Sequence, residues 1–150
     1  MTDGVALLDV NVLVAFLWRQ HVHNGAARRW FANARLRGWA TCPITEMGFV
    51  RLFSGRAVGP GTRSVSRSAE ALARFLDDDL HQFWPDDVPL SGGQFAASLP
   101  HIQGPRQLTD RYLLALAAAH NGTLATFDRA VAAGLPADSP LLAHLEVIED

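Results

Sequence analysis

The chain has 150 residues, of which 49% are hydrophobic and 19% are charged, and its formal net charge is −2 at pH 7. This length and composition predict a globular protein made of one domain, residues 1–150, and argue against a disordered chain. The apolar runs are too short to span a membrane, and residues 1–4 lack the basic start of a signal peptide, so we expect a cytoplasmic protein.

The composition also excludes several kinds of chemistry. All 13 basic residues are arginine, which rules out a phosphate-binding P-loop and Schiff-base catalysis because both require a lysine. The single cysteine, Cys42, cannot form an internal disulfide or a cysteine-based zinc site. Its position near a predicted strand end favours a small buried residue over a catalytic thiol.

The first predicted element is a strand at residues 5–8, where four consecutive apolar residues indicate burial on both faces, as in a parallel sheet covered by helices. Apolar residues at helical spacing then predict a helix over residues 10–18. Asp9 lies between the two, at the carboxyl edge of the predicted sheet, where open α/β sheets bind ligands. An alternative stays open, in which Asp9 or Asn11 only caps the helix.

A second helix, over residues 24–37, and a short strand, over residues 39–42, follow a polar connection that contains His21 and His23. These two histidines could share a metal only in extended backbone, and no further ligand is near them in the sequence. Packing or surface roles are therefore favoured for both.

A third helix is predicted to begin at Pro43, with Glu46 in its first turn. Glu46 then lies close to the carboxyl end of the second strand, where it either joins a site or merely interacts favourably with the helix dipole. We expect Met47 and Val50, together with Phe49, to face the core.

The segment over residues 53–68 breaks the helical pattern with glycines and a proline, which predicts a loop. Four arginines and no acid lie between residues 47 and 69, namely Arg51, Arg56, Arg63 and Arg67. Two interpretations stay open, a solvated connection or an arginine-rich arm that meets phosphates.

The remaining predicted elements are a helix over residues 68–79, a strand over 81–84, a short helix over 92–98, a long helix over 108–121, a strand over 123–126, a short helix over 130–134 and a strand over 145–148. Thr109 is expected to cap the long helix, and the pair Asn121-Gly122 to end it. Asp110 then lies in the first turn of that helix, and Asp128 follows the fourth strand.

Four acids thus share a predicted location. Asp9 and Asp128 each follow a strand, and Glu46 opens the helix after the second strand. Right-handed crossovers make the strands parallel and bring their carboxyl ends to one edge of the sheet. Asp110 begins a helix that runs back along the sheet, so it starts near the same edge. The sequence therefore predicts that these four carboxylates converge.

Converging carboxylates repel one another and are costly without a cation. Sites made only of oxygen suit Mg²⁺ or Mn²⁺, whereas zinc favours the His and Cys ligands that this cluster lacks. Such an ion can ionise a water and offset charge on a phosphate during an in-line displacement. Asn11 and Thr126, each two residues from an acid, could hold a metal-bound water or orient the neighbouring carboxylate.

Four ordered motifs resemble those of PIN-domain nucleases, and most closely those of VapC toxins of type II toxin–antitoxin modules. The motifs are LDVNVL at residues 8–13, TEMGFVR at 45–51, TDRYLLA at 109–115 and ATFD at 125–128. Each motif alone is weakly specific, but their order and spacing fit the family, and the similarity covers almost the whole chain.

The resemblance implies a three-layer α/β/α fold around a central parallel sheet of four to five strands. It implies that Asp9, Glu46, Asp110 and Asp128 are catalytic, metal-binding acids, with Asn11 and Thr126 in support. The implied activity is Mg²⁺-dependent RNA endonuclease, in which a metal-activated water attacks the phosphodiester.

The resemblance also implies partners. The family's toxins are usually dimers and are held inactive by a VapB antitoxin. The arginines of residues 51–67 would contact RNA or that antitoxin. We expect exposed apolar surface for the antitoxin from Trp18, Trp30, Phe31 and Phe53.

Two alternatives remain. A catalytically silent binding module of the same fold would have its acids occupied by a partner's arginine. An aspartyl-phosphate phosphatase would use Asp9 as nucleophile, but such enzymes normally want a second aspartate in place of Asn11 and also a lysine, and this chain has neither.

Overall fold

The computed structural model describes residues 4–55 and 63–150. Within them lie the strands β1 (Ala6–Leu8), β2 (Trp39–Thr41), β3 (His81–Phe83), β4 (Thr123–Thr126) and β5 (Leu145–Val147). All five strands are parallel and form one sheet in the order β3-β2-β1-β4-β5. The carboxyl ends of β1 and β4 are therefore neighbours, although most of the chain separates them.

Six α-helices lie in the described residues: α1 (Val10–Leu17), α2 (Asn24–Ala34), α3 (Pro43–Ser54), α4 (Val65–Leu76), α5 (Gly93–Ser98) and α6 (Gln107–Ala119). Short 3₁₀ segments add Arg35–Arg37, Leu99–His101 and Pro140–His144. Among residues 4–55 and 63–150, none of these helices has the length and apolar character needed to cross a membrane.

The side chains of the strands alternate between two cores. Leu7 and Leu124 pack on one face of the sheet with residues of α5 and α6. Ala6, Leu8 and Trp39 pack on the other face, against α1 to α4. Because helices cover both faces, β1, β2 and β4 are buried throughout. The predicted three-layer α/β/α fold is confirmed, with five parallel strands.

Helix α3 buries a different stripe from the predicted one. Thr45, Phe49 and Phe53 face the core at intervals of four residues, whereas Met47 is 57% exposed. The prediction for Met47 is wrong because an apolar residue type does not determine which side of a helix meets the sheet. Phe53 is buried as well, so it cannot belong to the exposed apolar surface predicted for the antitoxin.

A second residue of that predicted apolar surface is buried as well. Phe31 belongs to the core of the α1–α4 face, where its ring packs edge-on against Phe16 and Trp39. Trp18 and Trp30 are partly exposed. The sequence-based assignment of this surface is therefore wrong for Phe31 and Phe53.

The arginine-rich segment is more helical than predicted. Helix α3 continues to Ser54, and α4 begins at Val65, before the predicted start at Ser68. Ser64 caps α4 by accepting a hydrogen bond from the N–H of Arg67 at 3.1 Å. Arg56 lies outside the described residues.

Two local predictions near β4 also need correction. Residues 130–134 form turns instead of a short helix, closed by Gly134 in the left-handed region at φ +88°. Helix α6 starts at Gln107, so Thr109 lies within its first turn and is not its cap. The end of α6 is as predicted, because Asn121 adopts φ 54° and Gly122 N–H donates to the Ala117 carbonyl at 2.8 Å.

Candidate active site

Asp9 connects β1 to α1 and is 7% exposed. Its Oδ1 accepts a hydrogen bond from the N–H of Val10 at 2.7 Å, which makes it the N-cap of α1. Its Oδ2 accepts a hydrogen bond from the Thr126 hydroxyl at 2.8 Å. The capping role weighed in the sequence analysis is therefore real, and the same carboxylate also faces the end of β4.

The hydroxyl of Thr126 connects the ends of the two central strands. It donates to Asp9 and accepts hydrogen bonds from Asn11 Nδ2 and from the N–H of Asp128, both at 3.0 Å. Asn11 Oδ1 accepts in turn from the N–H of Phe127 at 3.1 Å. These bonds fix the backbone before Asp128 relative to Asp9.

Asp110 and Asp128 complete a group of interacting acids with Asp9. Burial, and then the charges of Asp9 and Asp128, raise the pKa of Asp110 to about 6. Burial also raises the pKa of Asp9; hydrogen bonds from Thr126 and Val10 oppose this rise, and the charge of Asp128 adds to it. The charges of Asp9 and Asp128 therefore disfavour the ionised form of Asp110, and the charge of Asp128 disfavours that of Asp9.

Glu46 lies in the first turn of α3, as predicted, and has its own hydrogen-bond partner. The Thr41 hydroxyl at the end of β2 donates to Glu46 Oε2 at 2.7 Å. His81 Nε2 lies 2.7 Å from the same hydroxyl oxygen, and burial lowers the pKa of His81. Neither Thr41 nor His81 was expected at the site. The sequence signal for Thr41 is its position at a strand end before an acid, and His81 has no such signal.

A buried arginine lies next to this group of acids. The side chain of Arg111 is fully buried, and its guanidinium donates to the carbonyls of Ala133 at 2.8 Å and Ser98 at 3.4 Å. Burial lowers its pKa, and the negative charge of Asp110 opposes this. Arg111 thus connects α6 to α5 and to the turn that follows Asp128.

The PIN domain family model matches residues 6–133, which include all four acids. The chain belongs to the PIN domain family. Within that family it is similar to curated VapC ribonucleases of Mycobacterium tuberculosis. It is 47% identical to Ribonuclease VapC39 over 127 residues, which cover 85% of this chain and 91% of that protein.

Two further relatives give the same picture. Ribonuclease VapC38 is 44% identical over 128 residues, covering 85% of this chain and 87% of the relative. Ribonuclease VapC44 is 43% identical over 127 residues, which cover 85% of this chain and 88% of that protein. All are proteins of Mycobacterium tuberculosis, and this chain is therefore a member of the VapC group of PIN-domain ribonucleases.

The acids of this PIN domain fit a hard divalent cation in an open site. Among residues 4–55 and 63–150, no three His, Cys, Asp or Glu side chains are arranged as ligands of a single ion. Mg²⁺ is nevertheless usually held by one or two carboxylates and keeps several waters. The repulsion that Asp9 and Asp128 exert on Asp110 is the kind that such a cation relieves.

Other candidate groups have structural roles in this PIN domain. Cys42 is buried, which raises the pKa of its thiol to about 11, so the thiol is not a nucleophile. His21 Nδ1 accepts a hydrogen bond from the N–H of His23 at 3.0 Å. The ring of His21 packs edge-on against Trp18. The favoured packing role is confirmed for His21.

Of the predicted arginines that the structure describes, Arg51 lies on α3, Arg67 lies on α4, and Arg63 lies just before α4. Arg51 borders a groove of about 560 Å³ between these helices, next to Glu46. Arg63 lies over the ring of Phe53, with its guanidinium carbon 4.3 Å from the ring centre. Arg63 and Arg67 line a depression on α4 that Arg74 also borders.

Proposed function

We propose that this PIN domain is a Mg²⁺-dependent RNA endonuclease, with Mn²⁺ as a possible substitute, and that it acts as the toxin of a type II toxin–antitoxin module. The observation that carries the proposal is the convergence of Asp9 and Asp128, which the Thr126 hydroxyl joins at the carboxyl edge of the sheet, with Asp110, whose pKa their charges raise. The identity to VapC ribonucleases supports RNA as the substrate.

In this proposal four acids hold the metal, namely Asp9, Glu46, Asp110 and Asp128. A divalent ion bound there would polarise a phosphate and lower the pKa of a water. Thr126 and Asn11 keep the carboxylate of Asp9 in one orientation. The Thr41 hydroxyl does the same for Glu46 by donating to it, so no reorientation is needed when substrate arrives.

The proposed partner is a VapB-type antitoxin. The groove between α3 and α4 is lined by apolar side chains that include the exposed Met47 and Val65, and Glu46 lies at its border. A partner helix seated there could direct an arginine toward the acids, since a guanidinium binds carboxylates in a two-pronged geometry. A homodimer and a cytoplasmic location are part of the same proposal.

Incubation of the purified protein with total RNA, in Mg²⁺ or in chelator, tests the nuclease assignment. We expect cleavage only with metal, and loss of cleavage in Asp110→Asn. The variant Asp138→Asn, which removes an exposed acid, is the matched control and should cleave like the wild type. RNA binding without cleavage would favour the silent binding module, and a phospho-enzyme would favour the phosphatase.

Expression of the protein alone and with its antitoxin tests the toxin assignment. We expect growth arrest from the wild type but not from Asp110→Asn, and recovery of growth when the antitoxin is present. In a purified complex, raising the metal concentration should restore cleavage if a partner's arginine competes for the acids. Normal growth with the wild type alone would reject the toxin role and leave the nuclease role intact.

A further inference from the structure

Two acids beyond β5 lie beside the candidate active site. Strand β5 is parallel to β4, and the N–H of Ile148 donates to the Thr126 carbonyl at 2.8 Å. The next residues, Glu149 and Asp150, therefore continue past the same sheet edge at which Asp128 follows β4. Negative charge is thus added to an edge that already carries converging acids.

Both acids are paired with groups that flank Asp128. Glu149 Oε2 lies 2.5 Å from the guanidinium of Arg129, the residue after Asp128. Asp150 Oδ1 lies 2.7 Å from His23 Nδ1. The ring of His23 stacks on Phe127, the residue before Asp128, with ring centres 4.8 Å apart and planes at 15°.

The ion pair between Arg129 and Glu149 can readily be replaced by another anion. The side chains of Arg129 and Glu149 are 73% and 68% exposed, and exposed ion pairs contribute little to stability and are screened by salt. An arginine binds a phosphate through two parallel charge-assisted hydrogen bonds, and this pairing is stronger than an exposed pair with a single short contact.

We propose that Arg129 and His23 form a phosphate-binding subsite for RNA, and that Glu149 and Asp150 occupy it in the free protein as carboxylate substitutes. The subsite would hold a phosphodiester next to the one at the acids and would align the strand for cleavage. This inference rests on the proposed ribonuclease function and adds to it a positioning site and a built-in competitor.

The test compares RNA binding in chelator, where no cleavage occurs, by fluorescence anisotropy with a short single-stranded RNA of mixed sequence. The variant Glu149→Gln/Asp150→Asn removes both competitors. The control variant Asp77→Asn/Asp79→Asn removes the same amount of charge from exposed positions before β3, at the opposite edge of the sheet. Thermal melts confirm that each variant is folded.

We expect the Glu149→Gln/Asp150→Asn variant to bind RNA about threefold to tenfold more tightly than the Asp77→Asn/Asp79→Asn control, the range expected when one exposed ion pair and one histidine–carboxylate contact no longer compete. Adding Arg129→Gln should remove most of that gain and lower the slope of log K against log salt by about 1, since one phosphate contact is lost. Adding His23→Gln should reduce the gain further.

Equal affinities of the two double variants would overturn the proposal, because the gain would then reflect net charge alone. An unchanged salt slope after Arg129→Gln would overturn it as well. Failure of the underlying function is distinguishable: a wild-type protein that neither binds nor cleaves RNA rejects the ribonuclease assignment, whereas binding and cleavage with no effect of residues 129, 149 and 150 reject only the subsite.

Discussion

The hydroxyl of Thr126 donates a hydrogen bond to the carboxylate of Asp9 at 2.8 Å, although 117 positions separate the two residues. The bond joins the carboxyl ends of β4 and β1. The same oxygen accepts from Asn11 and from the N–H of Asp128, so one buried side chain aligns the backbone on both sides of the proposed metal site.

Replacing Thr126 by valine should therefore affect both stability and activity. Thr126→Val keeps the shape of the side chain but removes the partner of several polar groups, which should cost about 1–3 kcal/mol in the free energy of unfolding. Thr126→Ser retains the hydroxyl and is the control. Urea unfolding and single-turnover RNA cleavage measure the two effects. Wild-type cleavage by Thr126→Val would mean that Asp9 needs no orientation by this hydroxyl.

Neutralising Asp110 should stabilise the metal-free protein. Because the pKa of Asp110 is raised from 3.8 to about 6, the folded protein holds this proton more tightly than the unfolded chain. Asp110 therefore contributes to the free energy of unfolding at low pH, and this contribution is lost as the pH rises from about 4 to about 6. At pH 7 in chelator, Asp110→Asn should raise the free energy of unfolding by about 1–2 kcal/mol, less than the full pKa difference corresponds to because solvent screens this partly exposed carboxylate.

The gain from Asp110→Asn should shrink toward zero as the pH falls to about 4, where the wild-type carboxyl is protonated. Asp138→Asn should show no comparable change. A stability difference that is absent at pH 7, or that does not depend on pH, would show that the acids do not destabilise the metal-free fold.

The close contact between α1 and α3 depends on Gly48, which has no side chain where it meets Val10. A Cβ added at Gly48 would lie 2.6 Å from Val10 Cγ2, closer than packed carbon atoms approach. Gly48→Ala should therefore cost about 1–3 kcal/mol and displace Glu46 relative to Asp9, lowering cleavage. Urea unfolding and RNA cleavage assays test both effects.

The double variant Val10→Ala/Gly48→Ala provides the control for this clash. Shortening Val10 removes the contacted methyl group, so the double variant should recover much of the stability lost in Gly48→Ala, giving a favourable coupling between the two sites. If the two single effects simply add, the clash at Val10 is not the cause.

The exposed arginines Arg63, just before α4, and Arg67, in its first turn, should contribute to RNA affinity. Arg63→Gln/Arg67→Gln should lower the slope of log K against log salt by about 2 if each residue contacts one phosphate. Arg28→Gln/Arg29→Gln, which neutralises two exposed arginines of α2, is the charge-matched control. An equal change of slope in both variants would mean that Arg63 and Arg67 are solvated residues that do not contact RNA phosphates.

The succession of the strands and of the longer helices along the chain, and the place of each acid among them, follow from the sequence by itself. Apolar runs and helical spacing are local properties, and β1, Asp9 and α1 follow one another without any long-range contact. Asn121 likewise ends α6 through local backbone geometry at φ 54°, which is why the prediction for this helix end is confirmed.

Which side chains meet depends on how the elements pack together. Met47 is exposed and Phe49 is buried because of the way α3 packs on the sheet. Residues 130–134 form turns, in which the Ala133 carbonyl accepts a hydrogen bond from the distant, buried Arg111. The hydrogen bond between Thr126 and Asp9 exists because β4 is the neighbour of β1, and strand order depends on long-range packing that no local pattern encodes. Coupling among the acids is likewise a property of the assembled sheet edge, since burial and distance determine how carboxylates influence one another.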